Sequence, residues 1–195
     1  LLHGFRHVPF NDAAAVEAAV TPQTCAIMIE PIQGEGGVNV PDPDYLRQVR
    51  AICDRHGLLL ILDEVQTGLG RTGRLFAHEH FGFGPDIMTL AKALAGGAPI
   101  GAMLAREPFA AAFSPGTHGS TFGGNPLAMV VANAAVDLVA APAFLAHVVR
   151  IGNYLQQQLQ MVRDRNGAVI EEVRGQGLID RKSTRLNSSH EFVTR

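Results

Sequence analysis

One aspartate and one lysine stand out in this chain because each closes an apolar run. Asp63 ends the run Leu58-Leu-Leu-Ile-Leu-Asp63, and Lys92, the only lysine in residues 1–180, follows Asp86-Ile-Met-Thr-Leu-Ala91. An amine removed from water becomes a nucleophile that can form a Schiff base with an aldehyde. A carboxylate at the same site can hold a pyridine nitrogen protonated, so that the ring withdraws electrons. An enzyme that uses pyridoxal 5′-phosphate (PLP) requires both groups.

Each residue also has an ordinary interpretation. Asp63 could cap a helix or form a salt bridge, or it could bind Mg²⁺ as the aspartate of a Walker B strand does. The Walker interpretation is disfavoured because no Gly-x4-Gly-Lys-Ser/Thr segment occurs. Lys92 could be a surface lysine whose stem packs on apolar neighbours. Taken together, Asp63 and a desolvated Lys92 favour the PLP hypothesis.

Two further segments are candidate binding sites. Ser120-Thr121 precedes Gly123-Gly-Asn-Pro126 at a predicted helix start, where hydroxyls and backbone amides suit a phosphate. The same residues are also typical of an ordinary turn that leads into a helix. His78 and His80 are the closest histidine pair, but on a helix this spacing places them on different faces. We therefore expect no metal site.

The elements that must position these residues are short apolar strands separated by helical segments. Four strands are predicted: Cys25–Glu30, which is expected to be buried, Leu58–Leu62, Asp86–Leu90 and Ile100–Ala105. Between the first two, a helix is predicted over Asp44–His56 with Gly57 as its cap. This alternation is typical of an α/β fold with a mostly parallel sheet that is covered by helices. Such sheets bind ligands beyond the carboxyl ends of their strands, which predicts one common site for Glu30, Asp63 and Lys92.

The second half of the chain is predicted to be mainly helical. Leu127–Ala140 is rich in alanine, valine and leucine and is expected to be a long buried helix. Phe144–Arg165 is predicted to be an amphipathic helix, and Glu171–Leu178 to begin a new strand.

Composition excludes several classes of function. The 195 residues are 47% hydrophobic and 17% charged, with a net charge of −2, which is typical of a globular protein and predicts neither a nucleic-acid nor a membrane partner. Two cysteines in apolar contexts fit a reducing compartment, and no signal peptide or membrane-spanning run is evident. The cytoplasm is the expected location.

Both ends of the sequence differ from what an intact gene product would show. There is no initiator methionine, which suggests that residues precede Leu1. Residues 181–195 hold four of the 16 basic residues, one of the 18 acidic ones and no apolar periodicity. We predict that this segment is a foreign or disordered tail.

Four segments together resemble the class III (ornithine/acetylornithine-type) aminotransferases. They are Glu30-Pro-Ile-Gln-Gly-Glu-Gly-Gly37, Leu62-Asp-Glu-Val-Gln-Thr-Gly-Leu-Gly-Arg-Thr-Gly73, Thr89-Leu-Ala-Lys-Ala-Leu-Ala-Gly-Gly97 and His118-Gly-Ser-Thr-Phe-Gly-Gly-Asn-Pro126. The resemblance runs over about residues 4–178. It implies the type I PLP-dependent transferase fold, PLP as the cofactor, amino-acid and 2-oxo-acid substrates, and a homodimer.

The resemblance also implies a role for each matching residue. Lys92 matches the Schiff-base lysine and Asp63 the partner of the pyridine nitrogen. Val65 matches the residue that packs on the ring, and Gln66 the group that contacts its 3-hydroxyl. Thr121 matches a threonine that crosses the dimer interface to the cofactor phosphate. Glu35 matches a glutamate near the substrate.

The motif Thr121-Phe-Gly-Gly-Asn-Pro-Leu-Ala128 is most similar to that of the acetylornithine-type enzymes of this family. Those enzymes move an amino group between N-acetylornithine and 2-oxoglutarate in arginine biosynthesis. Enzymes acting on ornithine, 4-aminobutyrate or N-succinyl-diaminopimelate remain alternatives, as does an inactive truncated fragment. The expected organisation is the central part of the PLP-binding large domain in residues 1–140, the start of the small domain in residues 141–180, and the tail in residues 181–195.

Overall fold

The computed structural model describes residues 3–184. Its helices and strands follow in the order α1 (Ala13–Ala19), β1 (Ala26–Ile29), α2 (Tyr45–His56), β2 (Leu59–Asp63), β3 (Ile87–Leu90), β4 (Ala102–Ala105), α3 (Glu107–Ala110), α4 (Pro126–Ala140), α5 (Pro142–Arg165), β5 (Ile170–Gln176) and β6 (Ile179–Thr184). Two short 3-10 helices, Ala77–His80 and Lys92–Ala95, lie in the connections.

The first four strands form one sheet in the order β1-β2-β3-β4. β1, β2 and β3 run parallel, and β4 pairs antiparallel with β3. The prediction of a mostly parallel sheet is confirmed. The carboxyl ends of the three parallel strands lie at one edge, and there Asp63 is in register with Thr89. This edge carries the residues that the sequence singled out.

Helix α2 covers one face of the sheet, as predicted. Gly57 ends it in the left-handed conformation with φ of 65°. Leu46, Val49 and Cys53 of this helix are buried with Leu60 and Leu62 of β2 in one core cluster. Each fully buried aliphatic side chain contributes roughly 1.5–3 kcal/mol. Burial also raises the pKa of the Cys53 thiol to about 11.

Two expectations about burial were wrong. α4 is not a buried helix: only Ala128 and Ala132 are buried, while the side chains of Leu127 and Val130 are 76% and 67% exposed. β1 is the outermost strand of the sheet, and it is not fully buried, since Met28 is 57% exposed. Apolar composition predicted burial in both cases, but exposure depends on which elements pack against each face, and residues 3–184 leave these faces uncovered.

The C-terminal part of the described chain is a helix followed by a β-hairpin. α5 confirms the predicted amphipathic helix, and β5 confirms the predicted strand before an antiparallel pairing with β6. The expected tail boundary at residue 181 falls within β6, whereas residues 185–195 lie outside the described part. Within residues 3–184 no single helix is long and apolar enough to cross a bilayer. α4 and α5 together have the required length and apolar composition, but they are bent by 66° relative to each other.

Candidate active site

Lys92 lies just beyond the carboxyl end of β3. It begins the second 3-10 helix with φ of 46°, a left-handed conformation that costs a non-glycine residue roughly 1–2 kcal/mol. Residues held in this way often belong to functional sites. The Lys92 side chain is 51% exposed, so the predicted desolvation of its amine is wrong. Although its neighbours in sequence are apolar, the side chain emerges at the open edge of the sheet.

Glu35 and Gln66 lie next to this amine. Glu35 Oε1 is 4.0 Å from Lys92 Nζ and accepts a hydrogen bond from Gln66 Nε2 at 3.4 Å. The structure therefore brings together an amine, an amide and a carboxylate from three different connections. All three were predicted from the sequence as site residues.

Gly34 makes the position of Gln66 possible. A Cβ atom built on Gly34 would lie 2.4 Å from Gln66 Oε1 and 2.5 Å from its Cδ. No side chain fits there unless Gln66 moves. The Gly34 amide also donates a hydrogen bond to Glu30 Oε2 at 2.9 Å, so Glu30 shapes the turn that presents Glu35.

Asp63 is the last residue of β2 and is partly buried. Its Oδ1 accepts a hydrogen bond from the backbone amide of Val65 at 2.9 Å, which fixes the first turn beyond the strand. This turn directs the chain from Asp63 towards Gln66. Asp63, Val65 and Gln66 therefore lie in one short segment at the carboxyl edge of the sheet, where β2 ends and its connection to β3 begins.

Thr121 is separate from this group. All residues from 111 to 124 are exposed, and no hydrogen bond joins Thr121 to another predicted site residue within residues 3–184. Asn125 caps α4, since its Oδ1 accepts a hydrogen bond from the Ala128 amide at 2.9 Å. The Gly-Gly-Asn-Pro segment is therefore a helix start, and the role of Thr121 stays a prediction.

Glu64 is an important residue whose role the sequence analysis did not identify. Its carboxylate is completely buried and accepts hydrogen bonds from the Thr67 hydroxyl and from the backbone amides of Ala77 and His78 at 2.8–2.9 Å. Because side chains alternate along a strand, Glu64 points away from the face used by Asp63. That alternation was the available signal. Thr67 is three residues away, but the amides of Ala77 and His78 lie more than ten residues away in sequence and could not be identified.

The two histidines of the first 3-10 helix have different environments. His78 Nδ1 lies 3.0 Å from Glu64 Oε1, while His80 Nε2 lies 3.1 Å from the Thr72 hydroxyl. Burial lowers the pKa of His80. Across residues 3–184 no group of three or more potential ligands is placed to hold a metal ion.

These residues fit PLP by their chemistry. Lys92 offers an accessible amine for the aldehyde, Asp63 a carboxylate for the ring nitrogen, and Gln66 an amide donor for a ring oxygen. Gly34 leaves the space that this amide needs. An amine, an amide and carboxylates at the carboxyl edge of a mostly parallel sheet are the groups that an α/β enzyme needs to hold an aldehyde cofactor on a lysine.

Comparison with known proteins identifies the family. Residues 6–192 match the aminotransferase class-III family, and the chain belongs to it. It is 58% identical over 179 residues to the acetylornithine aminotransferase of Neisseria meningitidis serogroup B, covering 92% of this chain and 45% of that protein. The chain therefore spans less than half the length of this relative.

Solved structures agree with this assignment. The acetylornithine aminotransferase of Elizabethkingia anophelis matches with a TM-score of 0.89 and 41% identity, covering 93% of this chain and 46% of that one. The ornithine aminotransferase of Toxoplasma gondii ME49 matches with a TM-score of 0.89 and 42% identity, covering 93% and 44%. The chain thus has part of the type I PLP-dependent transferase fold, as predicted.

Proposed function

We propose that this chain is the lysine-bearing part of a PLP-dependent aminotransferase that moves an amino group between N-acetylornithine and 2-oxoglutarate. One observation carries the proposal. Lys92 leaves the carboxyl edge of the sheet in a left-handed conformation, with Glu35 4.0 Å from its amine and Gln66 hydrogen-bonded to that same carboxylate. Family membership supports it.

The residues have distinct roles in this proposal. When bound, PLP supplies an electron-withdrawing ring that stabilises negative charge at the substrate α-carbon. The Lys92 amine would hold the cofactor covalently and, when free, would move the substrate α-proton as a general base. Asp63 keeps the proton on the ring nitrogen, because a nearby carboxylate favours the charged form of a base.

The remaining residues bind and orient. Val65 would pack on the ring face, and Gln66 would donate a hydrogen bond to the 3-hydroxyl. Glu35 lies on the substrate side of the amine, where a carboxylate can select between the side chains of the two substrates. Thr121, which is exposed and distant in sequence from the other groups, reaches the cofactor phosphate of a second subunit.

A homodimer accounts for the exposed apolar surface beside Thr121. Phe122, Leu127 and Val130 are 81%, 76% and 67% exposed, and large apolar side chains grouped within nine residues are typical of a surface that a partner covers. The two free cysteines support a reducing, cytoplasmic setting. Residues 1–140 belong to the large domain and residues 141–180 begin the small one.

The amino donor is N-acetylornithine in this proposal, and free ornithine is the second candidate. Identity of 58% to an acetylornithine aminotransferase favours the first, while the structural match to an ornithine aminotransferase supports the second. A full-length parent assayed with N-acetylornithine, ornithine and 4-aminobutyrate decides between them. Faster turnover of either of the last two would contradict the choice.

The 195-residue chain by itself is expected to have little or no transaminase activity. It spans 45% of its Neisseria relative, and faces such as those of β1 and α4 are uncovered in residues 3–184. Exposed strand edges and apolar faces favour association between copies of the chain over assembly of a complete, catalytically active dimer. Measurable turnover by the purified chain would refute this expectation.

A further inference from the structure

The β5–β6 hairpin contacts the loop that carries Glu35. Arg174 of β5 donates two hydrogen bonds to the Gly37 carbonyl, from Nε at 3.0 Å and from Nη2 at 2.8 Å. Its remaining nitrogen, Nη1, donates to Glu172 Oε2 at 2.6 Å, which fixes the guanidinium on the strand. The loop of residues 33–39, named here the Glu35 loop, is thereby bonded to a segment more than 130 residues later.

The same loop has a strained backbone that needs support. Val38 has φ of 54°, a left-handed conformation that is a true outlier for a β-branched residue. Such conformations persist only where the surroundings determine them. Here Val38 is buried in a cluster with Ile32 and Ile179, the first residue of β6. The hairpin therefore covers the strained residue as well as bonding its neighbour.

The tip of the hairpin contacts the other site connection. The Leu178 amide donates to the Arg71 carbonyl at 2.9 Å, in the segment that follows Gln66. A Cβ on Gly177 would lie 2.7 Å from that carbonyl oxygen, so only glycine allows this approach. One hairpin thus contacts both connections that bring Glu35 and Gln66 together.

We propose that Arg174 is a positioning residue, which holds the Glu35 loop so that Glu35 stays beside Lys92 and Gln66. Arg174 does not reach the amine itself; it acts through Gly37, two residues after Glu35. The importance of the Glu35 position rests on the proposed function, whereas the mechanical coupling of hairpin and loop does not.

Hydrogen exchange of the purified chain, followed by mass spectrometry, tests the coupling. The amides of Gly37 and Val38 donate to the Gly34 carbonyl and report the loop directly. Arg174→Gln removes the paired donors and should accelerate exchange of the Glu35 loop about tenfold, with β2 unchanged. Arg174→Lys retains one donor and should restore exchange to within about threefold of the unsubstituted chain.

Arg163→Gln is the matched control, because Arg163 is a half-exposed arginine on α5 whose ion pair is with its neighbour Asp164. It should leave the Glu35 loop unchanged. Loop exchange that is unchanged in Arg174→Gln would overturn the proposal. Equal acceleration of β2 and the loop would also overturn it, since that result reports lost global stability only.

A second measurement needs no substitution and covers the case in which Arg174→Gln does not fold. With increasing denaturant, amides of the Glu35 loop and of β5 in the unsubstituted chain should open together, with the same slope. Opening at separate denaturant concentrations, or complete exchange throughout at zero denaturant, would overturn the coupling. PLP labelling of Lys92, measured in parallel, reports on the proposed function alone, so the two failures are distinguishable.

Discussion

His78 Nδ1 lies 3.0 Å from Oε1 of Glu64, a carboxylate with no exposed surface. Glu64 directly follows Asp63. Its carboxylate also accepts hydrogen bonds from the Thr67 hydroxyl and the Ala77 amide, which lie near the start and in the middle of the connection from β2 to β3. A buried carboxylate is costly unless its oxygens are satisfied, and here they accept from several donors. Glu64 therefore fixes the connection from inside while Asp63 and Gln66 face the candidate site.

Substituting Glu64 should destabilise the fold. Glu64→Gln places an amide group opposite donors that now point at a carboxylate, and we expect a loss of about 2–4 kcal/mol in the free energy of unfolding. Denaturant unfolding followed by circular dichroism measures it. Glu171→Gln, at an exposed position, should change stability by less than about 0.5 kcal/mol. Equal stabilities for the two variants would show that the buried network contributes nothing.

Gly34→Ala tests whether the space beside Gln66 matters for the cofactor. The added Cβ would meet the Gln66 amide at 2.4 Å and displace it, so we expect PLP affinity to fall about tenfold, or 1.4 kcal/mol. Gly36→Ala is the control, because the nearest contact there would be an ordinary 3.6 Å. Fluorescence titration with PLP gives both dissociation constants. Similar values for the two variants would argue against a role for Gln66.

The sequence predicted the sheet and α2 well because their signals are local. Apolar runs such as Leu58–Leu62 form strands wherever partners exist, and Gly57 ends a helix through its own backbone freedom. The burial of α4 could not be predicted, since it depends on which faces other elements cover. The amides of Ala77 and His78 that bind Glu64, and the contact of Arg174 with Gly37, involve residues distant in sequence, and these appear only in the folded chain.

Because of Asp86, the free energy of unfolding should depend on pH in the acid range. Burial alone would raise its pKa, but the Leu60 amide and the Arg50 guanidinium outweigh burial and hold the pKa below the usual 3.8. A carboxyl group whose pKa is lower in the folded state than in the unfolded state stabilises the fold fully at pH values above its unfolded-state pKa. This stabilisation is lost as the pH falls through the folded-state pKa. The advantage of the unsubstituted chain over Asp86→Asn, about 2 kcal/mol at pH 7, should therefore shrink below about pH 4.

Asp54→Asn provides the comparison, because Asp54 also pairs with Arg50, at 2.7 Å, but its side chain is 66% exposed. Its cost should stay below about 1 kcal/mol. Thermal unfolding from pH 3 to pH 7 measures both variants. An Asp86→Asn cost that did not change across this range would contradict the assigned pKa direction.

Asp63→Ala should separate cofactor attachment from proton transfer in a full-length parent. The Lys92 amine is still present, so covalent attachment remains possible. Without the carboxylate the ring nitrogen loses its proton, and abstraction of the substrate α-proton should slow by roughly a hundredfold or more. Single-turnover kinetics with an α-deuterated donor would show this step as rate-limiting. Near-normal rates would remove Asp63 from the proposed role.

The most direct test of the central claim is borohydride reduction of the purified chain after mixing with PLP, followed by peptide mass mapping. The chain has only two lysines, Lys92 and Lys182, so the site of attachment is unambiguous. We predict a phosphopyridoxyl adduct on Lys92 that persists in Lys182→Arg and disappears in Lys92→Arg. Absence of an adduct at Lys92, or equal labelling of both lysines, would contradict the assignment of Lys92 as the cofactor-binding residue of this chain.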